Sequence, residues 1–530
     1  MAIRRNFARR GEIGDVVTTN NKYLDVARVE RTVIQTTVHE LLNGAAALLA
    51  QGWCLALVAA HDDVLAIRVV YVFLKGPPDQ RTELVVRLDP VNPELPSLAS
   101  ISFGASRFER EIKDLFGVEL RDHPQPRRLV LHQHWPHNWY PMRHGMVDKP
   151  LMILDAGSFP FIPVEGPGVF EIPVGPVHAG LIEPGHFRFF VVGETILRMK
   201  ARLWFTHKGV ERLLEGKDID EGLRIAERVS GDTAVGHSLA FMMAVEDALG
   251  VTVSLQERQI RATLLEMERL YNHVADLGAL CNDVGFSIAN AFALEIRERL
   301  LRLNDDVTGH RLLRGGFVLG GACVRRLASD EELRRVESDV VDLVSMVRSN
   351  ALVLDRFIDT AILSHDDAVA MGTLGVVARA SGSEVDARVT QPFVVMPNDF
   401  AIAFSRDGDV RARFDVRVDE IRTSLSCLRM WNRVANGRSV STQTISPERL
   451  LSEATRDVKV RSGLGVVEGW RGTIVHRVEL DDSGHLTRVK IVDPSFMNWP
   501  ALPICLAETI IPDFPLANKS FNLSYAGNDL

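Results

Sequence analysis

The sequence of 530 residues predicts an α+β multidomain protein. A small α/β amino-terminal domain is followed by a larger, mainly helical domain with peripheral β-strands. Three observations carry this reading. Strand-length runs rich in Val, Leu and Ile crowd the stretch from 53 to 88. Eleven prolines fall between His123 and Pro184, which excludes long helices there, because proline fixes φ and removes a backbone donor. After Thr206 apolar residues recur at three- and four-residue spacing, the mark of core-facing helices. The expected division is a tail over 1–30, a first domain over 31–130, a proline-rich connection over 131–170 and the helical domain over 171–530.

Element by element, Val33 to Gln51 has helical spacing. Trp53 to Ala60, Leu65 to Lys75 and Glu83 to Leu88 read as strands, and Gly76-Pro77-Pro78-Asp79 as the turn between the last two. Arg107 to Phe116 returns to a helix. Phe187 to Thr206 alternates and predicts strands. Thr233 to Leu249 and Glu257 to Asp276 predict helices; in the second, Ile260, Leu264, Met267, Tyr271, Val274 and Leu277 form one stripe. Ser329 and Glu332 have the spacing of a capping box ahead of a helix through Val347. Gln391 to Gly408 is irregular. Leu464 to Asp493 returns to strands, with Asp481-Asp482-Ser483-Gly484 as a hairpin turn.

Composition narrows the function. The chain is 46% apolar and 25% charged, with 61 basic and 69 acidic residues giving a net charge of -8. No basic stripe alternates with aromatics, so nucleic acid is not an expected partner. No apolar run approaches the roughly 18–20 residues of a membrane helix. The arginine-rich start is followed by no apolar stretch, so no secretory or twin-arginine signal is expected. Cys54, Cys281, Cys323, Cys427 and Cys505 are scattered, with no C-x-x-C pair, and fit buried, reduced thiols of a cytoplasmic protein. They cannot form the thiolate cluster that nickel–iron or iron–sulfur centres need.

Several motifs together resemble one family. Arg107 to Gly117, with His123-Pro124 and Arg127-Arg128, resembles the signature of the thirty-kilodalton subunit of respiratory complex I. Gly175-Pro176-Val177-His178 and Glu183-Pro184-Gly185-His186, then His207 to Arg212, Glu266 to His273 and Arg311 to Gly316, resemble the catalytic large subunit of energy-converting hydrogenases. They also resemble the related forty-nine-kilodalton subunit of complex I. The order is that of the fused large subunit of formate hydrogenlyase and its relatives, and the matches run from about Glu109 to Leu530. The resemblance implies a first domain like the thirty-kilodalton subunit, followed by a hydrogenase large-subunit-like domain.

The departures are as informative. Hydrogenases carry Arg-x-Cys-Gly-x-Cys followed by His. Here Arg228, Gly231 and His237 match, but Ser230 and Thr233 stand at the cysteine positions. A second cysteine pair aligns with Ser524 and Gly527. Neutral hydroxyls are poor ligands for soft nickel and glycine offers none, so a nickel–iron centre is not expected and no metal ligands are assigned. The resemblance to complex I implies a different use of the emptied cavity, the holding of a quinone head group. His178, Glu183 and His186 are then the candidate catalytic residues, and His178, His237 and Tyr525 the candidate quinone-cavity residues. The family's quinone-facing tyrosine falls near Gly231, so that partner is missing.

The same resemblance implies a peripheral subunit on the inner face of the cell membrane, within an NADH dehydrogenase-like oxidoreductase complex. Its partners would be a small iron–sulfur subunit of the twenty-kilodalton type holding a [4Fe–4S] cluster, a ferredoxin-like subunit and antiporter-like membrane subunits. NAD would be handled elsewhere in the complex. A redox-inactive scaffold of an ion-translocating complex is one alternative, and a hydrogenase large subunit with unusual ligands is the other. Three residues keep two readings each. His178 donates to a quinone or closes the Gly175-Pro176 turn; Glu183 relays protons or sits on a surface loop; His237 belongs to the site or is a satisfied core histidine. His123, His132, His134, His137 and His144 fit no structural zinc spacing. Gly315-Gly316 and Gly320-Gly321 lack a phosphate-loop pattern and suggest close backbone packing.

Overall fold

The structure, a computed structural model, describes residues 30–147, 149–157, 159–179, 182–435 and 461–530. The expected tail, apart from Glu30, lies outside the described residues.

The first domain is built on a four-stranded sheet of order β1-β4-β3-β2, comprising β1 (Glu30–Gln35), β2 (Cys54–Asp62), β3 (Ile67–Lys75) and β4 (Gln80–Leu88). Helix α1 spans Leu41–Ala50. The expected helix from Val33 is therefore wrong at its start. Thr32, Val33 and Ile34 are consecutive β-branched residues, stiff at χ1, and β1 pairs in parallel with β4. That partner lies about 50 residues away, where helical spacing cannot reveal it. The Gly76 to Asp79 turn joins β3 and β4 in antiparallel register. The short strands β5 (Glu94–Pro96) and β6 (Glu119–Arg121) pair in parallel around α2 (Phe103–Phe116). Helix α2 ends at Gly117, whose φ of 72° puts it in the left-handed region. The buried Asp114 of α2 accepts the backbone N–H groups of Leu129, Val130 and Leu131, fixing the start of the proline-rich connection.

That connection carries no long helix and leads into a three-stranded antiparallel sheet, β7 (Val169–Val174), β8 (His186–Val192) and β9 (Thr195–Arg202). The helical domain follows: α3 (Val210–Leu214), α4 (Ile219–Ala226), α5 (Ala234–Leu249), α6 (Leu255–Asp283) and α7 (Ser287–Thr308). After the two-residue strands β10 (Phe317–Val318) and β11 (Gly321–Ala322) come α8 (Asp330–Ser349), α9 (Ala351–Phe357), α10 (His365–Met371), α11 (Gly375–Ala380), α12 (Ala387–Thr390) and α13 (Val410–Ala435). Both hydrogen bonds of the Ser329–Glu332 capping box are present at the start of α8. Helix α6 outruns its predicted end by a further two turns, burying Leu280 and Cys281.

A second antiparallel sheet, β12 (Arg461–Gly469), β13 (Gly472–Leu480) and β14 (Leu486–Val492), packs against α5. Gly463 and Gly465 make this possible. A Cβ on either would stand about 2 Å from the carbonyl oxygen of Ala244 or Ala240, so the helix lies on bare backbone.

The two domains are joined by buried charge. Glu479 of β13 accepts two hydrogen bonds from Arg68 and one from Arg477, and Arg477 also reaches Glu83. One apolar core runs from Leu41 through Phe108 to Trp499 and Tyr525, spanning both domains. Beneath the helical domain, Arg269, Arg379 and Arg388 interlock with Glu266, Asp386, Glu420 and Glu468, all buried. Cys281, Cys427 and Cys505 are buried, as expected. Cys54 and Cys323 are exposed, because Cys54 begins a strand and Cys323 lies in the loop after β11.

Candidate functional site at the former ligand positions

The four positions aligned with hydrogenase cysteines come together. Ser230 lies in the turn before α5, Ser524 opens the final helix (Tyr525–Asp529), and their Oγ atoms are 2.8 Å apart. The donors can be assigned. Ser230 Oγ donates to Asp232 Oδ1 (2.9 Å), which can only accept, so Ser524 supplies the proton between the two hydroxyls. Ser524 Oγ in turn accepts from Gly527 N–H (2.9 Å). Thr233 Oγ1 donates to Asp232 Oδ1 (3.0 Å) and accepts from Trp470 Nε1 (3.1 Å).

The hairpin between β12 and β13 supplies the centre of the cluster. Arg471 forms a two-pronged pair with Asp232, at 2.7 and 2.6 Å, and donates from Nε to the Asn522 carbonyl. Its guanidinium lies 3.9 Å from the Trp470 ring centroid. Burial alone would raise the Asp232 carboxyl, but Arg471 outweighs it and holds the pKa at about 2.

Gly527 is filled from the other side. A Cβ there would meet the Asp493 carboxylate at 2.5 Å. Asp493 accepts from Ser495 N–H and from His237 Nε2 (3.1 Å), and His237 Nδ1 lies 3.0 Å from His476 Nε2. His237 therefore has a carboxylate on one nitrogen and a second imidazole on the other. Against burial, the His237 hydrogen bond holds Asp493 below the usual carboxylate range. Burial drives His476 well below the usual histidine range, and the charge of a protonated His237 would add to that effect. Glu268 accepts from Val235 and Gly236 N–H at the start of α5, while burial pushes its carboxyl up to about 8.

These residues do not fit a nickel–iron centre. The four positions present three hydroxyls already engaged in hydrogen bonds and one glycine whose side-chain space belongs to Asp493. No thiolate is among them.

Of the other predicted residues, His178 and Glu183 lie on the adjoining loop between β7 and β8, His186 opens β8 and Tyr525 opens the final helix. His178 Nε2 is 2.7 Å from the Gly185 carbonyl, and Gly185 N–H donates to the Pro176 carbonyl, so His178 closes this loop. Gly175 has φ 76°, and a Cβ there would collide with Gly185 O at 2.2 Å, so glycine is required. Glu183 is exposed and accepts Ala526 N–H at 2.9 Å, tying the loop to the final helix. Tyr525 packs its ring against Gly185 and edge-on to Trp499, with centroids 4.9 Å apart. Burial pushes its hydroxyl up to about 12. His186 Nδ1 is 3.2 Å from Gly175 O; facing a carbonyl, this nitrogen carries the proton and donates. His186 also lines a cavity of about 620 Å³ with His132, His134, Phe161 and Arg188. Gly231, at the missing tyrosine, is exposed, and nothing stands within 4 Å of a Cβ placed there.

Arg471, Asp493 and His476 were not singled out from sequence. They reach the cluster through the β12–β13 hairpin and the end of β14. Arg471 stands 239 positions from Asp232, and His476 and Asp493 stand 239 and 256 from His237, so no local spacing marks them.

Comparison with known proteins identifies the family of the chain. The family model for the 30 Kd subunit of respiratory-chain NADH dehydrogenase matches residues 28–149, and that for its 49 Kd subunit matches 283–529. Formate hydrogenlyase subunit 5 of Escherichia coli (strain K12) is 31% identical over 460 residues, covering 84% of this chain and 78% of that protein. The C/D protein of NADH-quinone oxidoreductase from Phocaeicola vulgatus is 28% identical over 362 residues, 63% of this chain and 69% of its own length. A chain in the structure of the membrane-bound sulfane sulfur reductase, an archaeal respiratory membrane complex, shares the fold. Its TM-score is 0.60 at 24% identity, covering 70% of this chain and 100% of that one. The chain thus belongs to the family of fused 30 kDa/49 kDa complex I-type subunits that includes formate hydrogenlyase subunit 5, and it lacks that fold's nickel-binding cysteines.

Proposed function

We propose that this chain is a peripheral subunit of a membrane-bound oxidoreductase complex related to NADH-quinone oxidoreductase and energy-converting hydrogenases. In it, the chain shapes a cavity for a quinone, or a similar acceptor, beside a small iron–sulfur subunit. The observation that supports this best is the pairing of a sealed hydroxyl cluster at the former metal positions with an adjoining loop that presents His186 to a cavity. The scaffold of the site is retained while the ligands for hydrogen chemistry are gone.

Reduction of a quinone takes two electrons and two protons. The electrons would arrive one at a time from a [4Fe–4S] cluster in the partner. With Nδ1–H held by Gly175 O, His186 would have to be the imidazolium to donate from Nε2 to one carbonyl oxygen of the ring. It would give up that proton as charge develops there, and the second proton would come from solvent. His178 would act by holding the loop closed, since its Nε2 is committed to Gly185 O. Ferredoxin-like and antiporter-like subunits are the further partners of this reading. The position is on the inner face of the membrane, with NAD handled elsewhere. No helix among the described residues is long and apolar enough to cross a membrane, which suits a docked subunit.

The test is quinone-dependent turnover of the purified complex. His186→Ala should lower it by roughly 10²-fold or more, as loss of a general acid does. His178→Ala and Glu183→Gln should raise KM by loosening the loop. Unchanged turnover in His186→Ala rejects the assignment.

A second reading has its own support. Ser230, Thr233 and Ser524 are bound to one another or to Asp232, and the tyrosine position is Gly231. A redox-inactive scaffold would look like this. An intact complex without bound quinone, and unresponsive to quinone-site inhibitors, would favour it.

A further inference from the structure

Behind Phe159, Phe161 and Arg202, which it shares with the His186 cavity, lies a second cavity of about 450 Å³ at the junction of the two domains. Five basic side chains line it: Arg107 and Arg110 from α2, Arg127 from the stretch after β6, and Lys200 and Arg202 from β9. No acidic residue lines it among the described residues. In a chain of net charge -8 this is a local inversion of sign.

Buried cations are ordinarily paired, because leaving water costs several kcal/mol per ion. Among the described residues, none of these five has a carboxylate within ion-pair distance. Nearby carboxylates exist, but each has its hydrogen bonds elsewhere and none comes within ion-pair distance of these cations. Asp114 accepts three backbone amides of the stretch after β6. Asp529 accepts from Thr206 and Asn528. Glu111 holds Lys490. The cations bond only to neutral acceptors: Arg107 to Asn528 Oδ1, Arg110 to the carbonyls of Arg127 and Arg128, and Arg202 to those of Leu129 and Leu131. Arg107 and Arg202 each keep a buried Nε–H with no partner, and both guanidiniums flank the Trp204 ring, at 5.5 and 5.8 Å from its centroid. Burial, with repulsion between neighbouring cations adding to it, lowers the basicity of Arg107, Arg110, Lys200 and Arg202, although Asp114, Asp529 and Glu111 act the other way on the arginines. Arg107 is pushed down to about 9, with Arg110 adding to burial, and Arg110 and Arg202 to about 10.

We propose that this cavity binds a small diphosphate-bearing anion, with inorganic diphosphate as the simplest member of the class. Planar guanidiniums match phosphate oxygens in pairs. Five converging cations exceed what one carboxylate would neutralise. Trp204, Trp499 and Phe161 complete the wall, so an aromatic or apolar group could accompany the phosphates. The inference does not depend on quinone chemistry.

The experiment uses the full chain and sodium diphosphate, read by thermal unfolding and by titration calorimetry against sodium chloride of equal ionic strength. Diphosphate should raise the midpoint of unfolding by several degrees. The rim variant Arg127→Gln/Lys200→Gln, which removes two charges without touching the buried pair, should weaken binding at least tenfold. ADP against adenosine then separates the phosphate from the aromatic wall, and only ADP should bind. No shift beyond the chloride control, or equal binding by the rim variant, overturns the proposal. So does a structure of the intact complex with a partner's carboxylate seated among these arginines.

Discussion

Ser524 Oγ donates to Ser230 Oγ across 2.8 Å, although the residues are 294 positions apart, and this contact marks where two former ligand pairs face one another. The space between them is taken up by Arg471, which pairs with Asp232, and by Asp493, which fills the side-chain space of Gly527. Restoring sulfur should therefore not restore a centre. The quadruple variant Ser230→Cys/Thr233→Cys/Ser524→Cys/Gly527→Cys should carry no stoichiometric nickel by elemental analysis, even when produced with nickel and maturation factors. Gly527→Cys alone should cost about 1–3 kcal/mol in urea unfolding, since its Cβ meets Asp493 at 2.5 Å. A stable, nickel-loaded quadruple variant would show that the pocket is open.

Arg471 is the residue on which the cluster depends. It neutralises Asp232, reaches the Asn522 carbonyl and stacks on Trp470. Arg471→Met keeps much of the volume and loses the charge. The side of Asp232 that remains reaches solvent, with 40% of its side chain exposed, so the cost should be moderate, about 2–3 kcal/mol. Equilibrium urea unfolding of the full chain checks this. A cost under about 0.5 kcal/mol, the scale of an ordinary surface substitution, would mean the pair is incidental.

At Gly231 a side chain has room. Its φ is not in the left-handed region, the residue is exposed, and a Cβ would find nothing within 4 Å. Gly231→Tyr should therefore fold with a melting midpoint within a few degrees of the parent. If the quinone reading holds, the new hydroxyl should also lower KM for quinone in the complex. A collapse of stability would show that the turn before α5 needs glycine.

Much of this was legible in the sequence because it is local. The Ser329–Glu332 capping box and the strands around Gly76-Pro77-Pro78-Asp79 are set by residues a few positions apart. The convergence of Ser230, Thr233, Ser524 and Gly527 was legible only through resemblance, since no physical pattern links the two segments. What stayed hidden is non-local. Strand β1 was concealed by its parallel pairing with β4. Arg471 and His476 came from a hairpin read only as strands, and Asp493 from the residue after β14. Glu183 keeps two readings in the sequence, a proton relay or a surface loop; it is exposed on the loop and accepts Ala526 N–H, a contact no local spacing marks.

His132 Nε2 donates to the Leu203 carbonyl at 3.0 Å, and its ring stands edge-on to Phe205. Burial, with Arg202 nearby, pushes its pKa down to about 4. Its ordinary value lies near 6.5, so between about pH 6.5 and 4 the unfolded chain binds a proton here that the folded chain refuses. The stabilisation is thus present above pH 6.5 and is lost as pH falls. His132→Gln can keep an N–H toward Leu203 and has no such proton to exclude. Other groups, among them Glu109 with its carboxyl raised to about 7 by burial, titrate in the same window but are common to both proteins. The parent should therefore lose about 1–2 kcal/mol more than His132→Gln between pH 7 and 4.5, after allowing for the screening of a half-buried ring. Paired urea titrations at the two pH values read that difference directly. Parallel losses would show that His132 titrates normally in the folded protein.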